Sequence, residues 1–145
     1  ISASLVGSEM CIRDRHYLPL ICASIVSAII MFQTILIAPA INKRINSKEA
    51  SIFLRFIWPK FFIIIGVISL ISTVCLFFFN IEENLAKICS ISSVVLMVIC
   101  YILTPIINNA KDKSDDKTWT ILHLSTVIMT SLVLILNIIS IFLFM

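Results

Sequence analysis

Glycine is almost missing from this chain: two residues in 145, Gly7 and Gly66. Without clustered glycines there is no backbone loop of the kind that cradles phosphates, so nucleotide-binding fingerprints are excluded. Carboxylates are scarce as well, with eight Asp and Glu in total, and from His16 onward none lies inside a long apolar run. Paired carboxylates for general acid–base work therefore have no site. Histidine occurs twice, at His16 and His123, and no Ser-His-Asp set can be assembled around either. These absences argue against an enzyme. No cluster of Lys and Arg forms a nucleic-acid patch, and no nucleic-acid partner is expected. Of the five cysteines, Cys22, Cys75, Cys89 and Cys100 sit inside apolar runs without CxxC spacing, which reads as buried free thiols rather than a disulfide framework.

What the chain has in excess is apolar residues. Hydrophobic side chains make up 60% of it and the mean hydropathy is +1.11, more than a water-facing surface tolerates. A bilayer core asks for about 20 apolar residues in a helix, because only an internally hydrogen-bonded backbone is stable there. Tyr17 to Ile37, Phe61 to Phe79, Ile88 to Ile107 and Ile121 to Phe144 meet that condition, and none contains an internal charge. The expected fold is an all-α membrane protein, a four-transmembrane-helix bundle in contact with the lipid bilayer.

One segment does not belong to it. Leu5 to Arg15 reads Leu-Val-Gly-Ser-Glu-Met-Cys-Ile-Arg-Asp-Arg, the translation of a common transposase sequencing adaptor. Residues 1–15 are accordingly read as an adaptor-derived artefact, and 16–145 as a single membrane domain. The chain has 11 Lys and Arg and eight Asp and Glu. Setting aside Arg13, Arg15, Glu9 and Asp14 leaves nine basic and six acidic residues.

Those charges define two ends. Lys43, Arg44, Lys48, Arg55 and Lys60 flank the first connection, and Lys111, Lys113 and Lys117 the third, whereas the second carries Glu82 and Glu83 beside Lys87. The Lys/Arg bias places the first and third connections in the cytoplasm and both termini outside it. Trp58, Tyr101 and Trp119 then fall near the cytoplasmic interface and Tyr17 near the outer one. Within the first connection, Asn46 and Glu49 have capping-box-like spacing. Ile52, Phe53, Phe56 and Ile57 form an apolar face opposite Lys48, Ser51 and Arg55. This predicts a short interfacial helix between helices 1 and 2 that ends at Trp58-Pro59.

Small and weakly polar side chains mark helix contacts in lipid. Such stripes run through Ser24, Ser27, Met31, Thr34 and Ala38; through Gly66, Ser69 and Thr73; through Ser90, Ser93, Met97, Cys100 and Thr104; and through His123, Thr126, Thr130 and Asn137. Close packing or a mildly polar pathway would produce the same pattern. His123 is the leading candidate for chemistry, able to relay a proton, ligate a metal or haem, or donate to a carbonyl on a neighbouring helix. Gln33 and Asn137 read as interhelical glue. Pro105 with Asn108 is expected to shape the end of the third helix, the amide capping backbone groups freed by the proline. No metal site is expected. Soft ligands among Cys22, Cys75, Cys89, Cys100, Met31, Met97 and Met129 leave copper(I) as an alternative, and no cofactor is predicted outright.

Ala38-Pro39 at the close of the first span, Trp58 to Phe62 at the entry of the second, Pro105-Ile106-Ile107-Asn108 before a charged turn, and Trp119-x-x-Leu122-His123 resemble the transmembrane protein 205-like family, a domain of unknown function (4149). The resemblance spans His16 to Met145. Where the family has Ser and Asn after the histidine, this chain has Thr126 and Thr130. The resemblance implies a multi-pass membrane protein of undefined activity; more distantly the layout is similar to copper-resistance D-like and haem-associated four-helix proteins. Three expectations follow: a bundle, alone or as a homo-oligomer, that binds or passes a small solute or ion; an accessory subunit of a larger membrane complex; or a haem- or copper-associated redox protein. An isoleucine- and phenylalanine-rich composition suggests an AT-rich bacterial genome, and hence the inner membrane.

Overall fold

The sequence forms helices because its long apolar runs leave the backbone no other partner in lipid. The computed structural model describes the backbone of residues 2–44 and 46–145, and the side chains from residue 17 onward except those of 42, 44, 45, 47 and 48. The side chains of the adaptor-like stretch, and those of His16, Arg44 and Lys48, lie outside the described residues. Helix α1 (Ser2–Phe32) passes through a π-helical turn (Gln33–Ile37) into α2 (Ala38–Arg44), followed by α3 (Ser47–Phe78), α4 (Asn84–Asp112) and α5 (Asp116–Phe144). Among the described residues, four stretches are long and apolar enough to cross a membrane: Tyr17–Ile41, Glu49–Phe78, Asn84–Asp112 and Asp116–Phe144. The chain is a multi-pass membrane protein with an all-α four-helix architecture.

The first rod contacts α3 and α5, and α4 contacts the same two, while α1 and α4, and α3 and α5, face each other across the axis without close backbone approach. This is a square, up-and-down bundle. Its central layer is apolar and dry, with Val26, Ile30, Ile65, Met97 and Val133 each 0–2% exposed. Helices in lipid gain little from hiding apolar area, so this layer holds through dense van der Waals contact. Gly66 faces Met97, but a Cβ there would stand 3.6 Å from Met97 Cβ, an ordinary contact, so the packing of α3 on α4 does not require glycine.

Three expectations about the helices are corrected. The stretch read as a separate interfacial helix is the beginning of α3, which runs unbroken from Ser47 to Phe78 with Pro59 inside it. A proline removes one hydrogen bond but has a helical φ, and the aromatic cluster that follows holds the helix in line. Its two faces separate as the spacing implied. Ile52, Phe53 and Phe56 point outward, while Arg55 turns towards the bundle and forms a two-pronged ion pair with Asp112, Nη1 donating to Oδ2 at 3.1 Å and Nη2 to Oδ1. Asn46 precedes α3 with an extended backbone but makes no side-chain cap; only its carbonyl accepts, from Ala50 N–H at 2.9 Å. Likewise the first span does not close at Ile37. Ala38 N–H reaches back to Gln33 O in the wider π pattern, which re-registers the ladder just before Pro39, and the helix resumes to Arg44.

The short connections are closed by the same device. At Asn80 (φ 48°) and Ser114 (φ 56°) the chain enters the left-handed region. Asn80 and Ile81 donate to Phe77 O and Leu76 O, both at 3.1 Å, and Ser114 and Asp115 to Lys111 O and Ala110 O, at 3.1 and 3.0 Å. Both are Schellman turns. Ile81 then packs on Leu76 and Ala86. Asp115 caps α5 by accepting from Thr118 N–H at 3.1 Å, and the hydrogen bonds from Thr118 hold its carboxyl below the usual range. That contribution is present above the ordinary aspartate pKa and is lost as pH falls through the lowered one. Serine resists the left-handed conformation that glycine adopts freely. Ser114→Gly is therefore expected to raise unfolding stability by about 1 kcal/mol, measured by denaturant titration in micelles; an unchanged midpoint would contradict the strain.

Candidate functional site

The polar interior divides into two halves of different character. Towards the Glu82–Glu83 end, most polar groups satisfy one another, although Ser69 Oγ is buried without a partner. Thr73 Oγ1 lies 2.7 Å from Ser90 Oγ, and Ser90 Oγ donates to Ser69 O at 3.0 Å. Asn137 Nδ2 donates to Ser93 Oγ at 3.2 Å and to its own helix at Val133 O, 2.8 Å away. Asn137 thus ties α5 to α4 in a filled layer. The apolar layer of Val26, Ile30, Ile65, Met97 and Val133 lies on its basic side.

Beyond that layer, at the basic end, the axis opens. An outer cavity of about 300 Å³ lies among α3, α4 and α5, lined by Ser51, Arg55, Asn108, Lys111 and Trp119. An inner cavity of about 220 Å³ lies among the first rod, α3 and α5, with Gln33, Thr34, Phe61, Thr130 and Leu134 in its walls. Trp58, His123 and Thr126 line both. These three side chains stand between a charged vestibule and a mostly apolar chamber.

Each wall has a local cause. Trp58 begins an aromatic i, i+3, i+4 set: it stacks on Phe62 at 5.6 Å between centroids and meets Phe61 edge-on at 5.6 Å. His123 follows Trp119 by one turn and its ring lies parallel on the indole, 5.3 Å away with 4° between planes. Lys111 Nζ sits 4.5 Å from the Trp119 ring and 3.6 Å from Asp116. Among the described residues the His123 ring makes no interhelical hydrogen bond; it is stacked on the Trp119 indole face and lines both cavities.

The remaining candidates fall into three groups. Thr126 and Thr130 face the cavities, but their hydroxyls donate along their own helix, to His123 O at 2.8 Å and Thr126 O at 2.7 Å. Gln33 is 9% exposed, and its Nε2 is buried without a partner among the described residues, so that donor makes no interhelical bond. Asn108 lines the vestibule but caps nothing, and Pro105 is an outward-facing residue within α4, which continues to Asp112. The stripe assigned to the first span is also displaced. Ser24, Met31 and Thr34 are exposed, and the packed face is Cys22, Ala23, Val26, Ser27, Ile30 and Gln33. Ser24 and Thr34 donate to Leu20 O and Ile30 O, both at 2.8 Å, which satisfies them facing lipid.

Trp58 was overlooked as a wall because an aromatic beside a basic connection reads as an interface anchor; its spacing to Phe61 and Phe62 was the available signal. For a soft metal, Cys100 Sγ and Met129 Sδ are in contact at 3.8 Å. No group of three His, Cys, Asp or Glu converges among the described residues. No protein family, curated protein or solved structure matches the chain, so the site rests on its own geometry.

Proposed function

We propose that this protein binds a small solute at the basic end of its bundle, with His123 as the principal contact. The observation that carries this reading is that Trp58, His123 and Thr126 line two adjoining cavities at the end where the interior is not packed. Binding is favoured over passage by the dry layer of Ile30, Ile65, Met97 and Val133, which leaves the chambers on one side of the bundle. The Lys/Arg bias supports a cytoplasmic basic end, with both termini outside the cytoplasm of a bacterial inner membrane. The order of proline, aromatic and histidine motifs supports a place beside the transmembrane protein 205-like proteins.

The test is thermal unfolding of the purified protein in detergent against a panel of inorganic ions, organic acids, amines and lipophilic compounds. A ligand of the native site stabilises by mass action. At least one class is expected to raise the melting temperature, and His123→Ala to abolish that rise while leaving the unliganded protein folded. A panel without effect, or a rise indifferent to His123→Ala, would remove the proposal.

A further inference from the structure

The outer vestibule carries charge of one sign in its wall. Arg55 and Lys111 are the fully charged residues of its lining, and among the described residues no carboxylate joins them there. Asp112 and Asp116 meet these cations from outside the lining, with side chains 57% and 81% exposed. The two cations are not equivalent. Both Nη atoms of Arg55 are taken by Asp112 in the two-pronged pair. Lys111 Nζ stands 3.6 Å from Asp116 Oδ1, too far for a hydrogen bond, so the ammonium keeps its donors uncommitted. It is also accessible. The Lys111 side chain is 46% exposed, and Nζ lies 4.5 Å from the centre of the Trp119 ring, which is itself part of the wall.

The other polar groups of the wall set no sign. Thr104 and Thr126 donate within their own helices, to Cys100 O at 2.9 Å and His123 O at 2.8 Å, and retain lone pairs that can accept. Ser51, Asn108 and His123 can each donate or accept. The charges therefore decide. A cationic ligand would find fixed cations and no carboxylate in the lining, and a neutral one would draw less from the ammonium than a carboxylate, whose hydrogen bond to it is charge-assisted. The rest of the wall, with Leu54, Phe62 and Ile107, is apolar, and the volume of about 300 Å³ is at the small end for ligand pockets. A small anion on an apolar body matches both halves of this lining.

We infer that the vestibule is a site for a small organic anion, which sets its carboxylate against Lys111 Nζ and an apolar ring among Leu54, Phe62 and Ile107. This rests on the solute-binding reading and names the class of solute. The probes are 2-naphthoate, 2-naphthamide and 2-naphthylmethylammonium, which share one ring system and are anionic, neutral and cationic at neutral pH. Equilibrium dialysis of the full chain in an uncharged detergent at low salt, against empty micelles, reads the three affinities. Native protein is expected to bind naphthoate about tenfold more tightly than naphthamide, and the ammonium more weakly than either. Lys111→Gln should remove the preference for naphthoate while leaving naphthamide binding unchanged. Its former partner Asp116 is solvent-exposed, so the substitution leaves no buried charge behind and should not disturb folding. Lys113→Gln and Lys117→Gln delete the same charge from exposed residues outside the lining, and each should keep the preference. Equal binding of naphthoate and naphthamide by native protein, tighter binding of the ammonium, or a loss shared equally by all three lysine variants overturns the inference. In that event a His123-dependent ligand that is neutral or cationic would still uphold the solute-binding reading.

Discussion

Trp58→Ala is expected to cost about 3 kcal/mol of unfolding stability and to merge the two chambers. The indole stacks on Phe62 and meets Phe61 edge-on, and both phenylalanines are buried in the central cluster. Deleting it removes two aromatic contacts and opens a void on the bundle axis, where α3 and α5 do not approach each other and so cannot readily collapse into it. The half-buried state of Trp58 places the cost at the lower end of the range for large aromatic truncations. Trp58→Phe keeps a ring in the stack and should recover most of the loss. Denaturant titration in mixed micelles measures both. A cost for Trp58→Ala below about 1 kcal/mol would mean that the ring is peripheral to the bundle. Ligand selectivity should change in parallel, since the indole divides the vestibule from the inner chamber.

Met97→Ala is expected to cost about 2–5 kcal/mol through a different layer. Met97 is 1% exposed and packs with Val26, Ile30, Ile65 and Val133 in the seal between the cavities and the filled polar layer. In lipid the loss comes from contacts forfeited around the new void rather than from water exclusion. The expected cost is a range because it depends on how far the neighbouring side chains move into the void. Met97→Leu, which conserves volume, should cost less than about 1.5 kcal/mol. Equal effects of the two substitutions would show that the layer is loosely packed. Trp58 and Met97 belong to one cluster with Phe61 and Phe62, so the double variant should depart from additivity.

How much of this was legible in sequence varies with the kind of signal. The number of spans was readable because hydropathy over about 20 residues reflects the bilayer itself. The face of α4 was readable too: Ser90, Ser93, Met97, Cys100 and Thr104 are all buried, as their spacing implied. The face of α1 was not. A serine or threonine can satisfy its hydroxyl on its own helix, as Ser24 and Thr34 do, so a weakly polar residue does not by itself reveal whether a neighbour is present. Breaks were misread for a similar reason. Pro39 and Pro59 remove a donor, but whether the helix stops depends on the π re-registration before the first and on the aromatic packing after the second.

The sequence alone determined that this chain crosses a membrane on four helices, with a basic and an acidic end, because length, hydropathy and charge act locally and survive any arrangement of the helices. The tertiary structure decided how the interior is partitioned. Asn137 meets Ser93 from 44 residues away, whereas Gln33 meets no acceptor, although both are amides deep in apolar helices. What separates them is the depth at which helices remote in sequence align, which leaves one end of the axis filled and the other open around Trp58 and His123.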